Sequence, residues 1–149
     1  METSKDFEEL FELLNHHEVR YLVVGGYAFA IHAEPRYTKD LDIFYHSSES
    51  NSKKLLQCIK DFGFESLQIT VEDLTKPGRV IQIGHSPLRV DFLNMLDGVT
   101  FEECWINRMN STYGNQTIQV IGRKELIKNK KASGREQDLL DVKVLEKFE

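Results

Sequence analysis

The sequence predicts a single α/β domain, a mixed central sheet flanked by helices, and three observations predict it. Helix-type and strand-type apolar spacings alternate along the chain. No internal repeat, low-complexity stretch or linker interrupts them. The length of 149 residues suits one hydrophobic core. Residues 1–122 are expected to form the α/β core, and residues 123–149 a short tail of helices.

Taken in order, Phe7, Leu10, Phe11 and Leu14 fall at i, i+3, i+4 and i+7, one face of a helix. Thr3 followed by Asp6 offers an N-cap for it. Tyr21-Leu22-Val23-Val24 is a short strand ended by Gly25-Gly26, and Tyr27 to His32 then reads as a helix. Asp40 to Tyr45 predicts a strand, despite two residues that strands usually avoid. Ser50 to Asp61 predicts a helix that stops near Gly63. Val80 to Ile83 and Leu88 to Leu93 read as a hairpin turning around Gly84 to Pro87. Phe101 to Asn110 is expected to be a helix, with Phe101, Trp105 and Met109 on its core face, and Thr117 to Ile121 a strand. Helices over Arg123 to Lys131 and Arg135 to Phe148, parted by Ser133-Gly134, complete the chain.

Composition narrows the function classes. With 40% apolar and 29% charged residues the chain is of the soluble globular type. The longest mainly apolar stretch, Tyr21 to Ala33, has 13 residues, whereas a bilayer span needs about 20. Glu2, Asp6, Glu8, Glu9 and Glu12 give the N-terminus the wrong charge for a targeting peptide. Cys58 and Cys104 lack metal-type spacing, so a reduced, cytoplasmic protein with no membrane partner is expected. Net charge is −5, yet Arg123, Lys124, Lys128, Lys130, Lys131 and Arg135 cluster with a single acid, Glu125. An acidic chain is poorly suited to bulk nucleic acid, but one basic segment can serve a single polyanion or a solvated helix face.

The chemistry centres on carboxylates. In a strand, residues i and i+2 share a face, so Asp40 and Asp42 point one way while Leu41 and Ile43 face the core. Two such carboxylates can hold a hard cation; without one they repel, and at least one pKa should rise. Arg89-Val90-Asp91-Phe92-Leu93 repeats the alternation, and a neighbouring strand would bring Asp91 to about 5 Å from the first pair. Strand caps or a solitary surface Asp would produce the same letters. Three carboxylates on one sheet face suit a pair of divalent ions. Gly25-Gly26, between a strand and a helix, allows close backbone approach and leaves N–H groups free for a phosphate, though the same pair also serves ordinary turns. His16 and His17 suit a helix C-terminus, and His32, His46 and His85 read as structural or surface residues, with His46 the nearest to the carboxylate strand.

Val24-Gly25-Gly26, a spacing of 13 residues, Asp40-Leu41-Asp42-Ile43 and a distant Val90-Asp91-Phe92 resemble the polymerase-β-like nucleotidyltransferase superfamily. Gly25-Gly26-Tyr27-Ala28, Arg36-Tyr37-Thr38-Lys39-Asp40 and Lys130-Lys131-Ala132-Ser133-Gly134-Arg135-Glu136-Gln137-Asp138 are similar to its small stand-alone bacterial members, minimal and toxin-type enzymes of toxin–antitoxin and phage-exclusion systems. Gly25-Gly26 replaces the Gly-Ser of many members, so a serine contact to phosphate is missing. The resemblance implies that Asp40, Asp42 and Asp91 bind Mg²⁺ or Mn²⁺, with Asp42 shared between ions and Asp91 helping to take the proton of the attacking hydroxyl. It implies that Gly25 and Gly26 hold the β- and γ-phosphates of an NTP, with ATP expected. Arg36, Lys130 and Arg135 are the candidate triphosphate contacts. The acceptor could be a tRNA end, a protein or a small molecule, and a small protein partner or a homodimer could supply missing surface.

Other readings are a catalytically idle copy of the fold that acts as a binding or regulatory partner, and a nucleotide-sugar glycosyltransferase using Asp-x-Asp. The latter needs neither Gly25-Gly26 nor the second carboxylate strand. A phosphatase of the Asp-x-Asp-x-Thr type fails because Phe44 takes the threonine position.

Overall fold

The computed structural model describes residues 3–85 and 88–148, with no account of the His85 side chain. Six strands, β1 (Tyr21–Val24), β2 (Asp40–Tyr45), β3 (Val80–His85), β4 (Leu88–Leu93), β5 (Met109–Tyr113) and β6 (Gln116–Val120), form one sheet in the order β3-β4-β2-β1-β6-β5. The sheet is mixed, as the sequence predicts: β1 runs antiparallel to β2 and parallel to β6, while β2 and β4 are parallel. Among the described residues seven α-helices accompany it: α1 (Lys5–His16), α2 (Gly25–His32), α3 (Glu49–Ile59), α4 (Val71–Thr75), α5 (Phe101–Ile106), α6 (Arg123–Ser133) and α7 (Glu136–Glu146). Among the described residues no helix is long and apolar enough to cross a membrane.

α1 buries Phe7, Leu10, Phe11 and Leu14 and packs against β6 and α3. Its N-cap is Ser4 rather than Thr3: the Ser4 hydroxyl accepts from the N–H groups of Asp6 and Phe7. α2 lies against β1 and β2 and also meets α6 and α7, so the C-terminal helices close over the part of the sheet that carries the carboxylates.

Two elements depart from the sequence reading. The helix expected to reach Asn110 ends at Ile106, and Met109–Tyr113 is instead the edge strand β5, paired with β6. Edge position explains why apolar spacing missed it: Asn110 and Thr112 face solvent and only Tyr113 is buried. Met109 therefore leaves the helix, and Trp105 stacks on Phe101 with ring centroids 5.7 Å apart. The short helix α4 has no counterpart in the sequence reading; a reciprocal cap, in which the Thr70 and Asp73 side chains each accept from the other's backbone N–H, fixes its start. The expected hairpin of β3 and β4 is present, while Ser86 and Pro87 of its turn lie outside the described residues. Cys58 and Cys104 are buried and unbridged, and burial pushes both thiols up to about 12.

Candidate active site

Core packing decides where the carboxylates go. Leu41 pairs with Val90 and Ile43 with Phe92 across β2 and β4, and all four are buried. Slipping the register by one residue would turn this apolar set to solvent, so the register is fixed. Asp42 is thereby set directly opposite Asp91, on adjacent strands about 4.8 Å apart. Asp40, two residues earlier on the same face, is opposite Arg89.

The three acids are not equivalent. The Asp42 carboxyl is pushed up to about 7, first by burial and then by the Asp91 and Asp40 charges. Asp91 is also raised, chiefly by burial, with Arg89 pulling the other way. Arg89 Nη2 lies 2.5 Å from Asp40 Oδ2, and Arg89 Nε lies 3.5 Å from Asp91 Oδ1. Asp91 Oδ1 is buried and has no hydrogen-bond partner among the described residues.

Gly25 and Gly26 are required by this crowding. Gly25 has φ +64°, and a Cβ there would lie 2.2 Å from Asp42 Oδ2; a Cβ on Gly26 would lie 2.6 Å from Thr38 Cγ2. Val24, the residue before α2, supplies no side-chain cap, which leaves the first N–H groups of the helix free of side-chain partners. Gly25→Ala is therefore expected to displace the Asp42 carboxylate and, for the NTP that the sequence resemblance assigns to this turn, weaken binding at least about tenfold, measured by calorimetry. Unchanged affinity would remove Gly25 from the site.

A cleft of about 460 Å³ opens over these groups and is lined by Gly25, Asp42, Asp91, Lys130, Arg135 and Asp138 among others. The candidate triphosphate contacts divide. Arg135 lines the cleft with a side chain 79% exposed, its Nε 2.7 Å from Asp138 Oδ2. Lys130 is buried at the cleft wall, with Nζ 2.8 Å from Asp141 and 3.6 Å from Asp138. Arg36 does not line the cleft: it pairs with Asp141 and lies 3.8 Å over the Phe29 ring. Asp138 and Asp141 organise these cations, and sequence reasoning gave Asp141 no role. Its i+3 spacing from Asp138 on α7, one turn on, was the available signal.

Three histidines make structural contacts, while the side chain of His85 lies outside the described residues. Buried His32 hydrogen-bonds Ile121 O through Nε2, His17 pairs with Asp61, and His46 sits on Phe101 and pairs with Glu102.

This geometry, a strand–Gly-Gly–helix turn facing carboxylates on two parallel strands, agrees with what the chain matches. A family model described as "Nucleotidyl transferase of unknown function (DUF2204)" matches residues 3–148. The chain belongs to this nucleotidyl transferase family. No curated protein matches it in sequence. Among solved structures it is similar to the lincosamide antibiotic adenylyltransferase LnuA in its lincomycin-bound form, at 16% identity and TM-score 0.59, over 99% of this chain and 98% of that one. A nucleotidyltransferase-type protein of Thermotoga maritima gives 13% identity and TM-score 0.59, over 96% and 89% of the two chains. An antigenic nucleotidyltransferase-like protein of Paracoccidioides brasiliensis gives 14% and 0.55, over 91% and 71%. At such identities the likeness is one of fold.

The donor chemistry of this nucleotidyl transferase fits a hard divalent cation. Its cleft carboxylates offer oxygen only, one of those oxygens is unsatisfied, and their mutual repulsion is what a cation relieves. Among the described residues no three acidic, histidine or cysteine side chains already form a cage, and Arg89 pairs with Asp40.

Proposed function

We propose that the chain transfers a nucleoside monophosphate from an NTP, with ATP the first nucleotide to test, to a hydroxyl acceptor. The acceptor oxygen bonds to the α-phosphorus, the bond to the β-phosphate oxygen breaks, and pyrophosphate leaves. The observation that carries this reading is the in-register pair Asp42 and Asp91 beside the Gly25 turn.

In this scheme Asp42 and Asp91, joined by Asp40, hold Mg²⁺ or Mn²⁺. The bound ions would supply charge neutralisation at the phosphates and lower the pKa of the attacking hydroxyl. The Gly25 and Gly26 N–H groups hold the β- and γ-phosphates at the start of α2. Arg135, the exposed cation of the cleft, neutralises charge that builds on the leaving pyrophosphate. Lys130 adds its charge from behind, anchored by Asp141. Asp91 accepts the acceptor proton. Most of the rate gain then comes from positioning and electrostatics.

A second groove, lined by Met95, Leu96, Asp97, Thr100 and Glu103 among others, shares the first three of these residues with the catalytic cleft. It offers the acceptor a place adjoining the cleft that Asp91 lines. The neighbour named for adenylylating a lincosamide antibiotic makes a small hydroxylated molecule the first acceptor to try, ahead of a tRNA end or a protein. A toxin-type role in a toxin–antitoxin pair corresponds to the macromolecular acceptors.

The idle-copy reading draws on one observation, the pairing of Arg89 with Asp40 and Asp91. The two readings part in a labelling experiment. ATP, CTP, GTP and UTP labelled at the α-phosphate, with Mg²⁺ and either cell lysate or small hydroxylated compounds, should yield one labelled product class and pyrophosphate. No label from any nucleotide would favour the idle copy. A simpler companion is melting: a nucleotide at 100 times its Kd with Mg²⁺ adds about 2.7 kcal/mol of stability, so Tm should rise by several degrees. An unchanged Tm with all four nucleotides at millimolar concentration counts against the enzyme.

A further inference from the structure

The catalytic face carries one cation that the transfer reaction leaves without a task. Arg89 shares β4 with Asp91 and is the register partner of Asp40. Its guanidinium reaches both acids, 2.5 Å to Asp40 Oδ2 through Nη2 and 3.5 Å to Asp91 Oδ1 through Nε. Asp42 has no ion pair among the described residues. We propose that Arg89 is a tethered counter-ion, held by Asp40 and Asp91 in the metal-free protein and released from them when a divalent cation binds, so that it sets the metal affinity of the site. This rests on the nucleotidyl-transfer reading of the same carboxylates.

Three features support it. First, the contact with Asp91 is half made: Arg89 Nε and Asp91 Oδ1 are both buried, yet neither has a hydrogen-bond partner. A pair kept for structure would complete its hydrogen bonds, because unsatisfied buried polar atoms cost stability. Second, the Arg89 side chain is 38% exposed, so its head can leave for solvent without passing through the core. Third, among the described residues no three acidic side chains stand ready as a cage, and Asp40 is paired with the guanidinium instead. A cation and a guanidinium compete for the same oxygens, and a ligand moves such an equilibrium only by its preference for one state.

Manganese binding to the full chain without nucleotide tests this by isothermal titration calorimetry. Arg89→Gln should bind Mn²⁺ roughly tenfold more tightly than wild type, and Arg89→Lys, which keeps the charge, within about threefold of it. Affinity of Arg89→Gln that is unchanged or weaker overturns the proposal. Asp42→Asn separates the two levels of failure. Should it lose Mn²⁺ while Arg89→Gln equals wild type, the counter-ion role falls and the metal site stands. Should wild type and Arg89→Gln both bind no better than Asp42→Asn, both fall. A second readout needs no variant: the Arg89 Nε–Hε signal of the ¹⁵N-labelled wild type should shift during Mg²⁺ titration, and a signal that stays fixed at saturation contradicts release.

Discussion

Asp42→Asn should abolish nucleotide transfer and, at the same time, make the metal-free protein more stable. The activity loss follows from removing the most central carboxylate, opposite Asp91 and against Gly25. Losing a ligand of the proposed metal should cost several kcal/mol of transition-state stabilisation, a drop of about 10³-fold or more. The stability gain has the same origin. Asp42 titrates near 7 in the folded chain against an ordinary 3.8. Between these pH values the folded protein holds a proton that the unfolded chain has released. The favourable contribution of Asp42 is therefore complete below pH 3.8 and is lost as pH rises through 7. Asn carries no charge and escapes this loss. Because Asp91 and Asp40 share the repulsion, the variant should gain about 1–3 kcal/mol at pH 8. The Tm difference from wild type should widen from pH 5 to pH 8. A difference independent of pH would show that charge repulsion is not its cause.

Asp141→Asn should have the largest effect in the opposite direction. Asp141 is 1% exposed and joins three elements: it accepts from Arg36 before β2, from Lys130 of α6 and from Gln137 of α7. Burial pulls its carboxyl upward, but the hydrogen bonds from Arg36, Lys130 and Gln137 outweigh it and hold the group well below the usual carboxylate range. Removing the charge leaves Lys130 buried with only Asp138, at 3.6 Å, for compensation. Breaking a buried pair from one side costs about 3–5 kcal/mol. At 2–4 °C per kcal/mol for a chain of this size, Tm should fall by about 10 °C. The sign with pH is reversed here: the Asp141 contribution is present above its unfolded pKa and lost as pH falls through the depressed folded value, so the gap should narrow in strong acid. A loss under about 1 kcal/mol at pH 7, read from denaturant unfolding, would mean that the network is ornamental.

Much of the site was legible because strand alternation and the site obey the same rule. Leu41 and Ile43 inward require Asp40 and Asp42 outward, and Val90 and Phe92 do the same for Asp91. The parallel pairing of β2 with β4 is long-range, yet the two apolar patterns share a face in the register that sets Asp42 against Asp91. The basic segment was less legible. Its letters show six cations, but only folding reveals that Lys130 is buried against Asp141 of α7 while Arg135 stands exposed at the cleft. Charge counts carry no partner information. Arg89 was visible merely as an outward residue beside Asp91, and its hold on Asp40 depends on a strand pair 49 residues apart in sequence. Strand β5 hid behind polar letters, although Gly114-Asn115 ahead of β6 was a hairpin signal of the usual kind.

The proposed chemistry requires acidic oxygens from β2 and β4 to gather on a metal. Crystals grown with Mn²⁺ and a non-hydrolysable ATP analogue, read by anomalous scattering, address it most directly. A manganese peak within about 2.0–2.3 Å of Asp42 and Asp91 oxygens, with the triphosphate at the Gly25 turn, is the expected result. Nucleotide and manganese bound elsewhere, with the Arg89 pairs to Asp40 and Asp91 intact, would contradict it.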